Sequence, residues 1–110
     1  MPAISLVSVI VPAYNEVERI GATLADVRAF FARKPYDYEI IVSADGSDGT
    51  RELVRRIAEQ HGRTTVIGSE ARRGKGYGIR QGVELARGDV IGFVDVSNVT
   101  FEVPDADDVK

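Results

Sequence analysis

The chain has 110 residues, no cysteine and a formal net charge of −3. This length fits one small domain, and the absence of cysteine excludes disulfides, thiolate metal sites and a thiol nucleophile. The acidic balance argues against a general nucleic-acid binder, and no apolar run reaches the length of a membrane span.

The first part of the chain predicts a strand and then a helix. Residues 6–11 are nearly all apolar and mostly β-branched, as expected of a strand covered on both faces. No basic segment precedes them, so a buried strand fits this run better than a signal peptide. Asn15 is the expected N-cap of the helix that follows, and Pro35 ends it.

The same alternation continues to the end of the predicted domain. A second helix ends at His61 and Gly62, and a third has Ile79, Val83 and Ala86 on its inner face. The βαβαβαβ order predicts an α/β fold, a Rossmann-like three-layer αβα arrangement with a mostly parallel sheet. The three further strands are predicted at residues 38–42, 64–67 and 90–94.

Three polar turns follow predicted strands directly, at residues 12–16, 45–50 and 95–98. The carboxyl ends of parallel strands lie at one edge of a sheet, so these turns should converge on one crevice. Open α/β sheets bind nucleotides in such crevices. In the first turn, Tyr14 can pack on a base and Glu16 can accept hydrogen bonds. A plain strand-to-helix turn is the alternative.

The second turn also allows two interpretations. Asp45 can accept a hydrogen bond from a pyrimidine N–H or a ribose hydroxyl, or it can cap the second helix. Ser47 or Asp48 can serve as that cap equally well.

The later loops are suited to phosphate and metal. Residues 72–78 are basic and glycine-rich at a predicted helix N-terminus, which favours a diphosphate, although a solvated basic turn has the same composition. No Ser or Thr follows Lys75, so the segment is not a P-loop. Asp95 can ligate Mg²⁺ or Mn²⁺, with Ser97 and Asn98 as weaker oxygen ligands, or it can simply end a strand.

Four segments in this order resemble glycosyltransferase family 2, whose members have the GT-A fold. The similar segments are residues 8–16, 38–50, 73–89 and 92–95, so the resemblance covers nearly the whole chain. Within the family, the chain resembles dolichyl-phosphate mannose synthases and polyprenyl-phosphate glucosyltransferases.

The resemblance implies a UDP- or GDP-sugar donor, a Mg²⁺ or Mn²⁺ cofactor held by Asp95, and an acceptor such as a polyprenyl phosphate or a glycan. It assigns no catalytic residue. The residues it implies for the nucleotide-sugar site are Pro12, Tyr14, Asn15, Glu16, Asp45, Gly46, Ser47, Lys75, Gly76 and Asp95.

The chain departs from the family pattern at three places. Ala44 stands where the family has the first of two adjacent aspartates, the loop that follows is one residue shorter, and Ser97 replaces the second aspartate of Asp-x-Asp. The family's acceptor half should follow Asp95, but only a short acidic tail, residues 99–110, follows here. That tail could form an edge strand or fray.

These departures predict that residues 1–98 are the donor-binding half of a truncated GT-A domain, weak or inactive in transfer alone. A non-catalytic relic that binds nucleotides or self-assembles is the alternative. Without the acceptor half a sheet edge would be exposed, which predicts a homodimer through the fourth strand or the tail. The expected location is cytoplasmic, and peripheral membrane association stays open.

Overall fold

The computed structural model describes residues 4–96, and these residues form one four-stranded sheet with three helices. All strand pairs are parallel, in the order β3-β2-β1-β4, so the predicted α/β fold is confirmed. No helix in this part of the chain is long and apolar enough to span a bilayer. The elements are β1 (Leu6–Tyr14), α1 (Ile20–Phe31), β2 (Asp37–Asp45), α2 (Thr50–His61), β3 (Thr64–Ile67), α3 (Lys75–Leu85) and β4 (Val90–Phe93).

The two central strands are longer than the sequence pattern predicts. β1 and β2 have nine residues each, and they pair in register from Leu6 opposite Asp37 to Tyr14 opposite Asp45. Apolar periodicity identifies only the buried middle of such a strand, because polar residues near its carboxyl end resemble a turn. The pairing places the first and second polar turns side by side.

The sheet is covered on both faces, which makes the three layers. On one face, alternate residues of β1 and β2 join α1 and the buried Val54 of α2 in the hydrophobic core. On the other face, α3 lies against Ile10 and Ser43. The fully or nearly buried apolar residues of the first face are Val7, Val9, Val11, Ala13, Ile20, Leu24, Val27, Phe31, Ile40, Val42, Ala44 and Val54.

Helix α3 packs on the sheet through glycines. Its buried residues are Gly78 and Gly82, while Val83 is exposed, so the prediction that Val83 lies on the inner face is wrong. A Cβ atom at Gly78 would lie 2.3 Å from Oγ of Ser43, and one at Gly82 would lie 3.0 Å from side-chain carbons of Ile10. The absence of side chains on this face lets the helix backbone approach the sheet closely.

Helix α1 begins later than predicted, and Asn15 is not its N-cap. The helix starts at Ile20 after a turn in which the carbonyl of Glu16 accepts the N–H groups of Arg19 and Ile20. Asn15 instead has a left-handed backbone with φ of 51°, and its side chain accepts a hydrogen bond from the N–H of Ser47. The Asn15 side chain therefore makes a tertiary contact with Ser47 instead of the helix cap that the local sequence pattern predicted.

A partly buried carboxylate, that of Glu39, connects several groups at the edge of the sheet opposite the polar turns. Glu39 accepts hydrogen bonds from the Ser8 hydroxyl at 2.6 Å and from the Arg87 N–H at 2.8 Å, and its other oxygen lies 3.3 Å from the Arg87 guanidinium. The Ser8 hydroxyl in turn accepts the N–H of Gly88 at 2.8 Å. Burial would raise the pKa of Glu39, but these hydrogen bonds and the Arg87 charge outweigh it and lower the pKa.

Asp89 makes a second link at this edge. One of its carboxylate oxygens accepts the N–H and the hydroxyl of Ser5, both at 2.8 Å, and the N–H of Leu6 at 3.1 Å. The Ser5 hydroxyl and the two N–H groups lower the pKa of Asp89. Together the two carboxylates connect the loop before β4 to the start of β1.

We expect Glu39→Gln to lower the free energy of unfolding by about 1–2 kcal/mol at neutral pH, because a neutral amide replaces a charged acceptor. The folded-state pKa of Glu39 lies below 4.5, so its stabilising contribution is present above that pH. The contribution is lost as the pH falls through the folded-state pKa. Urea unfolding at a series of pH values, with the exposed Glu59→Gln as control, measures the difference. A difference that grows on acidification would contradict the assignment.

Gly78→Ala should destabilise the protein by about 1–3 kcal/mol, because the new methyl group would overlap Ser43. Gly76→Ala is a matched control in the same helix, since nothing lies within 4 Å of a Cβ at that position. That variant should gain stability, by about 0.5–1 kcal/mol, from the higher helix propensity of alanine. Thermal unfolding compares the two variants, and equal effects would refute close packing at Gly78.

Candidate functional site

The polar turns meet in a cavity of about 280 Å³ at the carboxyl ends of β1 and β2, as the strand order predicts. The cavity is open to solvent on one side, and its wall carries acidic, basic and aromatic groups. Its lining residues are Pro12, Ala13, Tyr14, Glu16, Ser43, Asp45, Arg72, Gly74, Lys75 and Asp95.

The structure brings together six of the ten residues named from the sequence. These six line the cavity, while the other four do not. The lining six are Pro12, Tyr14, Glu16, Asp45, Lys75 and Asp95, and the remaining four are Asn15, Gly46, Ser47 and Gly76. Ser97 and Asn98 and the predicted tail lie outside the residues that the structure describes.

Asn15, Gly46 and Ser47 connect the first two turns. The Asn15 amide oxygen accepts the N–H of Ser47 at 3.2 Å. Gly46 has φ of 114°, and a Cβ there would lie 2.1 Å from the same amide oxygen. Only glycine fits this position, so the Asp-Gly-Ser sequence is explained by the contact between the two turns.

The N-cap position of α2 is Gly49, so none of the three candidates Asp45, Ser47 and Asp48 is the cap, although Asp48 bonds the first residue of the helix. One carboxylate oxygen accepts the N–H and hydroxyl of Thr50 at 3.1 and 2.6 Å, and the other accepts the N–H of Val17 at 3.1 Å. Burial would raise the pKa of Asp48, but these bonds lower it. The alternative that Asp45 caps α2 is therefore wrong.

Asp45 is bonded to the segment between β3 and α3. Its two carboxylate oxygens accept the N–H of Ser69 at 3.2 Å and the N–H of Arg73 at 2.8 Å. The Arg73 guanidinium lies 3.7 Å from the carboxylate. The carboxylate thus lies in the cavity wall and also connects β2 to the basic segment.

An aromatic and basic pair forms another part of the wall. The Arg72 guanidinium lies 4.6 Å from the centre of the Tyr14 ring, within the range of a cation–π contact. Tyr14 is about half exposed, so its ring is accessible from the cavity side. Beside it, the Glu16 carboxylate pairs with Arg19.

Lys75 and Asp95 face each other at the far end of the cavity, with the ammonium 3.5 Å from a carboxylate oxygen. Within residues 4–96 no three His, Cys, Asp or Glu side chains cluster as a metal site. Magnesium is commonly held by one or two carboxylates together with substrate phosphates. Among the residues that the structure describes, the carboxylate of Asp95 in the cavity wall is compatible with a site of this kind.

Four lining residues are absent from the set named for the site. Arg72 and Gly74 belong to the basic, glycine-rich segment, whose composition was the available signal. Ala13 and Ser43 lie in the last part of β1 and β2, and no residue-type signal marks them because their small side chains merely border the cavity. Only the length of the two strands reveals these positions.

Two curated proteins of similar sequence are named as sugar transferases. The model of the family described as glycosyl transferase family 2 matches residues 8–96. A dolichyl-phosphate beta-glucosyltransferase of Drosophila melanogaster is 37% identical over 117 residues, covering 99% of this chain and 35% of the relative. An undecaprenyl-phosphate 4-deoxy-4-formamido-L-arabinose transferase of Aeromonas hydrophila is 37% identical over 106 residues, covering 92% and 32%. The chain spans about a third of the length of these curated relatives.

Solved structures show the same likeness. A mannosyltransferase from Pyrobaculum calidifontis, in complex with GDP-Man and Mn²⁺, superposes with a TM-score of 0.74 at 28% identity, over 90% of this chain and 29% of that one. A mannosyl-3-phosphoglycerate synthase from Rubrobacter xylanophilus gives a TM-score of 0.68 at 25% identity, over 90% and 32%. The fold is that of GT-A enzymes, and the chain belongs to glycosyl transferase family 2.

Proposed function

We propose that the cavity binds a nucleoside-diphosphate sugar, either a UDP- or a GDP-sugar, for glycosyl transfer. The observation that carries the proposal is the meeting of Tyr14, Asp45, Lys75 and Asp95 in one cavity. A ring, a hydrogen-bond acceptor, a cation and a metal-ligating carboxylate match the base, ribose, diphosphate and cation of such a donor.

The base and ribose occupy the end of the cavity formed by the first two turns. Pro12 and Tyr14 offer apolar surface for a base, and Glu16 and Asp45 offer oxygens to ribose or base hydrogen-bond donors. Asn15, Gly46 and Ser47 support this end indirectly, through the contact between the turns that the Asn15 amide makes.

The diphosphate lies at the basic end. Lys75 and Gly76 are in the first turn of α3, where unpaired N–H groups and the helix dipole favour an anion. Arg72, also in the wall, adds positive charge. Lys75 now lies beside Asp95, so both side chains are close enough to serve one diphosphate–cation group.

Asp95 would hold Mg²⁺ or Mn²⁺ at the basic end of the cavity, beside the donor phosphates. The bound cation would act as a Lewis acid that stabilises the departing nucleoside diphosphate. In support, Asp95 lies in the cavity wall, and the structure of the Pyrobaculum mannosyltransferase contains both GDP-Man and Mn²⁺.

The proposed reaction transfers the sugar to a polyprenyl phosphate or a glycan. An acceptor oxygen bonds to the anomeric carbon, the bond from that carbon to the phosphate oxygen breaks, and the nucleoside diphosphate leaves with the electron pair. An anionic phosphate oxygen has no proton to lose, whereas a glycan hydroxyl also releases its proton to solvent. The names of the curated relatives support a polyprenyl-phosphate acceptor. Such an acceptor is a membrane lipid, which favours peripheral membrane association.

We also propose that these residues alone transfer sugar weakly or not at all. The chain spans about a third of the length of its curated relatives, and the residues of the cavity account for the donor rather than the acceptor. A non-catalytic module that binds nucleotides or assembles with itself is the second candidate. The replacement of the paired aspartate by Ala44 and of the second metal ligand by Ser97 favours it.

The first test is calorimetric titration with UDP-glucose and GDP-mannose, each with and without Mn²⁺. We expect one donor to bind with an affinity that the metal raises, and Asp95→Ala to weaken metal-dependent binding by at least about tenfold, because the carboxylate is the proposed protein ligand.

Asp26→Ala, an exposed change on α1, serves as the control and should bind as the wild type does. Absence of binding by a folded wild-type protein to either donor would overturn the donor proposal. A donor affinity that changes neither on addition of Mn²⁺ nor in Asp95→Ala would instead support the non-catalytic candidate.

The exposed edge of the sheet is the proposed site of self-association. β4 is an edge strand in the part of the chain that the structure describes, and Phe93 on it is 45% exposed. Val83 and Leu85 of α3 are exposed as well. An open edge with apolar side chains favours pairing with a second copy.

Light scattering should therefore give a dimer mass, and Phe93→Glu should raise the dimer dissociation constant by at least about tenfold, because it puts a charge into the apolar contact. Ala22→Glu places the same charge on an exposed position of α1 and should leave the mass unchanged. A monomer mass for the wild type over a wide concentration range would refute self-association.

A further inference from the structure

Arg51 makes an unusual contact behind the cavity. It lies in the first turn of α2, is partly buried and does not line the cavity. Its Nη1 atom lies 2.8 Å from each of three carbonyl oxygens, those of Ala44, Gly46 and Ser69. One nitrogen carries two hydrogens, so at least one hydrogen is shared between two carbonyls.

The three carbonyls belong to separate parts of the site. Ala44 is the second-last residue of β2, and Gly46 is in the turn that follows. Ser69 is in the segment between β3 and α3. Burial of a guanidinium costs free energy unless its donors are paired, so these oxygens and the charge stabilise each other. Arg51 thus connects the second turn to Ser69, which lies just before the basic segment, residues 72–78.

Further contacts hold the same two parts together. The N–H of Gly46 donates to the Ser69 carbonyl at 2.9 Å, and Asp45 accepts the N–H groups of Ser69 and Arg73. Gly68 lies so close to β2 that a Cβ there would be 2.0 Å from the Ala44 oxygen. Residues 68–73, which lead into and begin the basic segment, therefore contact the end of β2 directly.

The bridge that Arg51 makes to the three carbonyls lies between the two ends of the cavity and is one of the contacts that connect them. Tyr14 pairs in register with Asp45, and both residues lie at the end of the cavity proposed for the base. Arg72 and Lys75 come after Ser69 in the chain and lie at the end proposed for the phosphates. The bond from Arg51 to Ser69 contacts the start of the segment that carries both cations, next to the bonds that Gly46 and Asp45 make to Ser69.

We propose that Arg51 is a positioning residue for diphosphate recognition. It does not line the cavity, and it holds the cations of the basic segment at the separation from the base end that a nucleoside diphosphate requires. The proposal rests on the proposed function of the cavity.

The test compares the binding of UMP with UDP and of GMP with GDP in the presence of Mg²⁺, by calorimetry. In the wild type the diphosphate should bind more tightly than the monophosphate. In Arg51→Met that preference should fall by about tenfold, the loss expected when one charge-assisted hydrogen bond no longer aligns the phosphate-binding cations. Monophosphate affinity should change much less.

Arg55→Met removes an exposed arginine from the same helix and is the matched control. Arg51→Lys keeps the charge and serves if Arg51→Met does not fold, with an expected fall in preference between those of the wild type and the methionine variant. Amide hydrogen exchange gives a readout without nucleotide. The N–H groups of Ser69 and Arg73 should exchange faster in both Arg51 variants, while those of the central strand β1 should not.

The outcomes separate the two proposals. A wild-type protein that binds no nucleotide overturns the proposed function and this inference with it. Wild-type binding with an unchanged diphosphate preference in the folded Arg51 variants overturns the inference alone. Equal losses for monophosphate and diphosphate also overturn it, because a general loss of stability would produce them.

Discussion

The site depends on the parallel pairing of β1 with β2. These strands pair in register over nine residues, so that Tyr14 and Asp45 end side by side at the same edge of the sheet. A shift of one residue would turn the apolar side chains of either strand to the opposite face. The core behind α1 and the alignment of the two polar turns are therefore maintained by the same hydrogen-bond ladder.

The turns are then connected by polar side chains that form hydrogen bonds with backbone groups of neighbouring loops. Asn15, Asp48, Asp45 and Arg51 each bond backbone groups of a different loop. Backbone N–H and C=O groups in irregular segments need partners, and short polar side chains provide them at the strand ends. Asp45 belongs both to this framework and to the cavity wall, so the geometry of the cavity is tied to the stability of the loops around it.

The position of α3 follows from the opposite property, the lack of side chains. Gly78 and Gly82 let the helix approach Ser43 and Ile10, which brings its first turn and Lys75 to the cavity. Close approach through glycine leaves larger apolar residues of the helix facing outward, as the exposure of Val83 demonstrates. The same packing thus supports the basic end of the cavity and leaves apolar side chains exposed on the outside of α3.

Sequence patterns alone determined the order of the elements, the parallel sheet and most of the cavity wall, because apolar periodicity and strand-end turns are local signals. The family followed from the resemblance of four segments of the sequence. Tertiary structure decided what those signals do not contain. It moved the start of α1 to Ile20 by drawing Asn15 into a contact with Ser47, and it made glycines, rather than Val83, the packing face of α3. It also brought Arg51 to carbonyls up to 18 residues away. Each of these depends on which backbone groups meet in space, and residue type and spacing do not specify that.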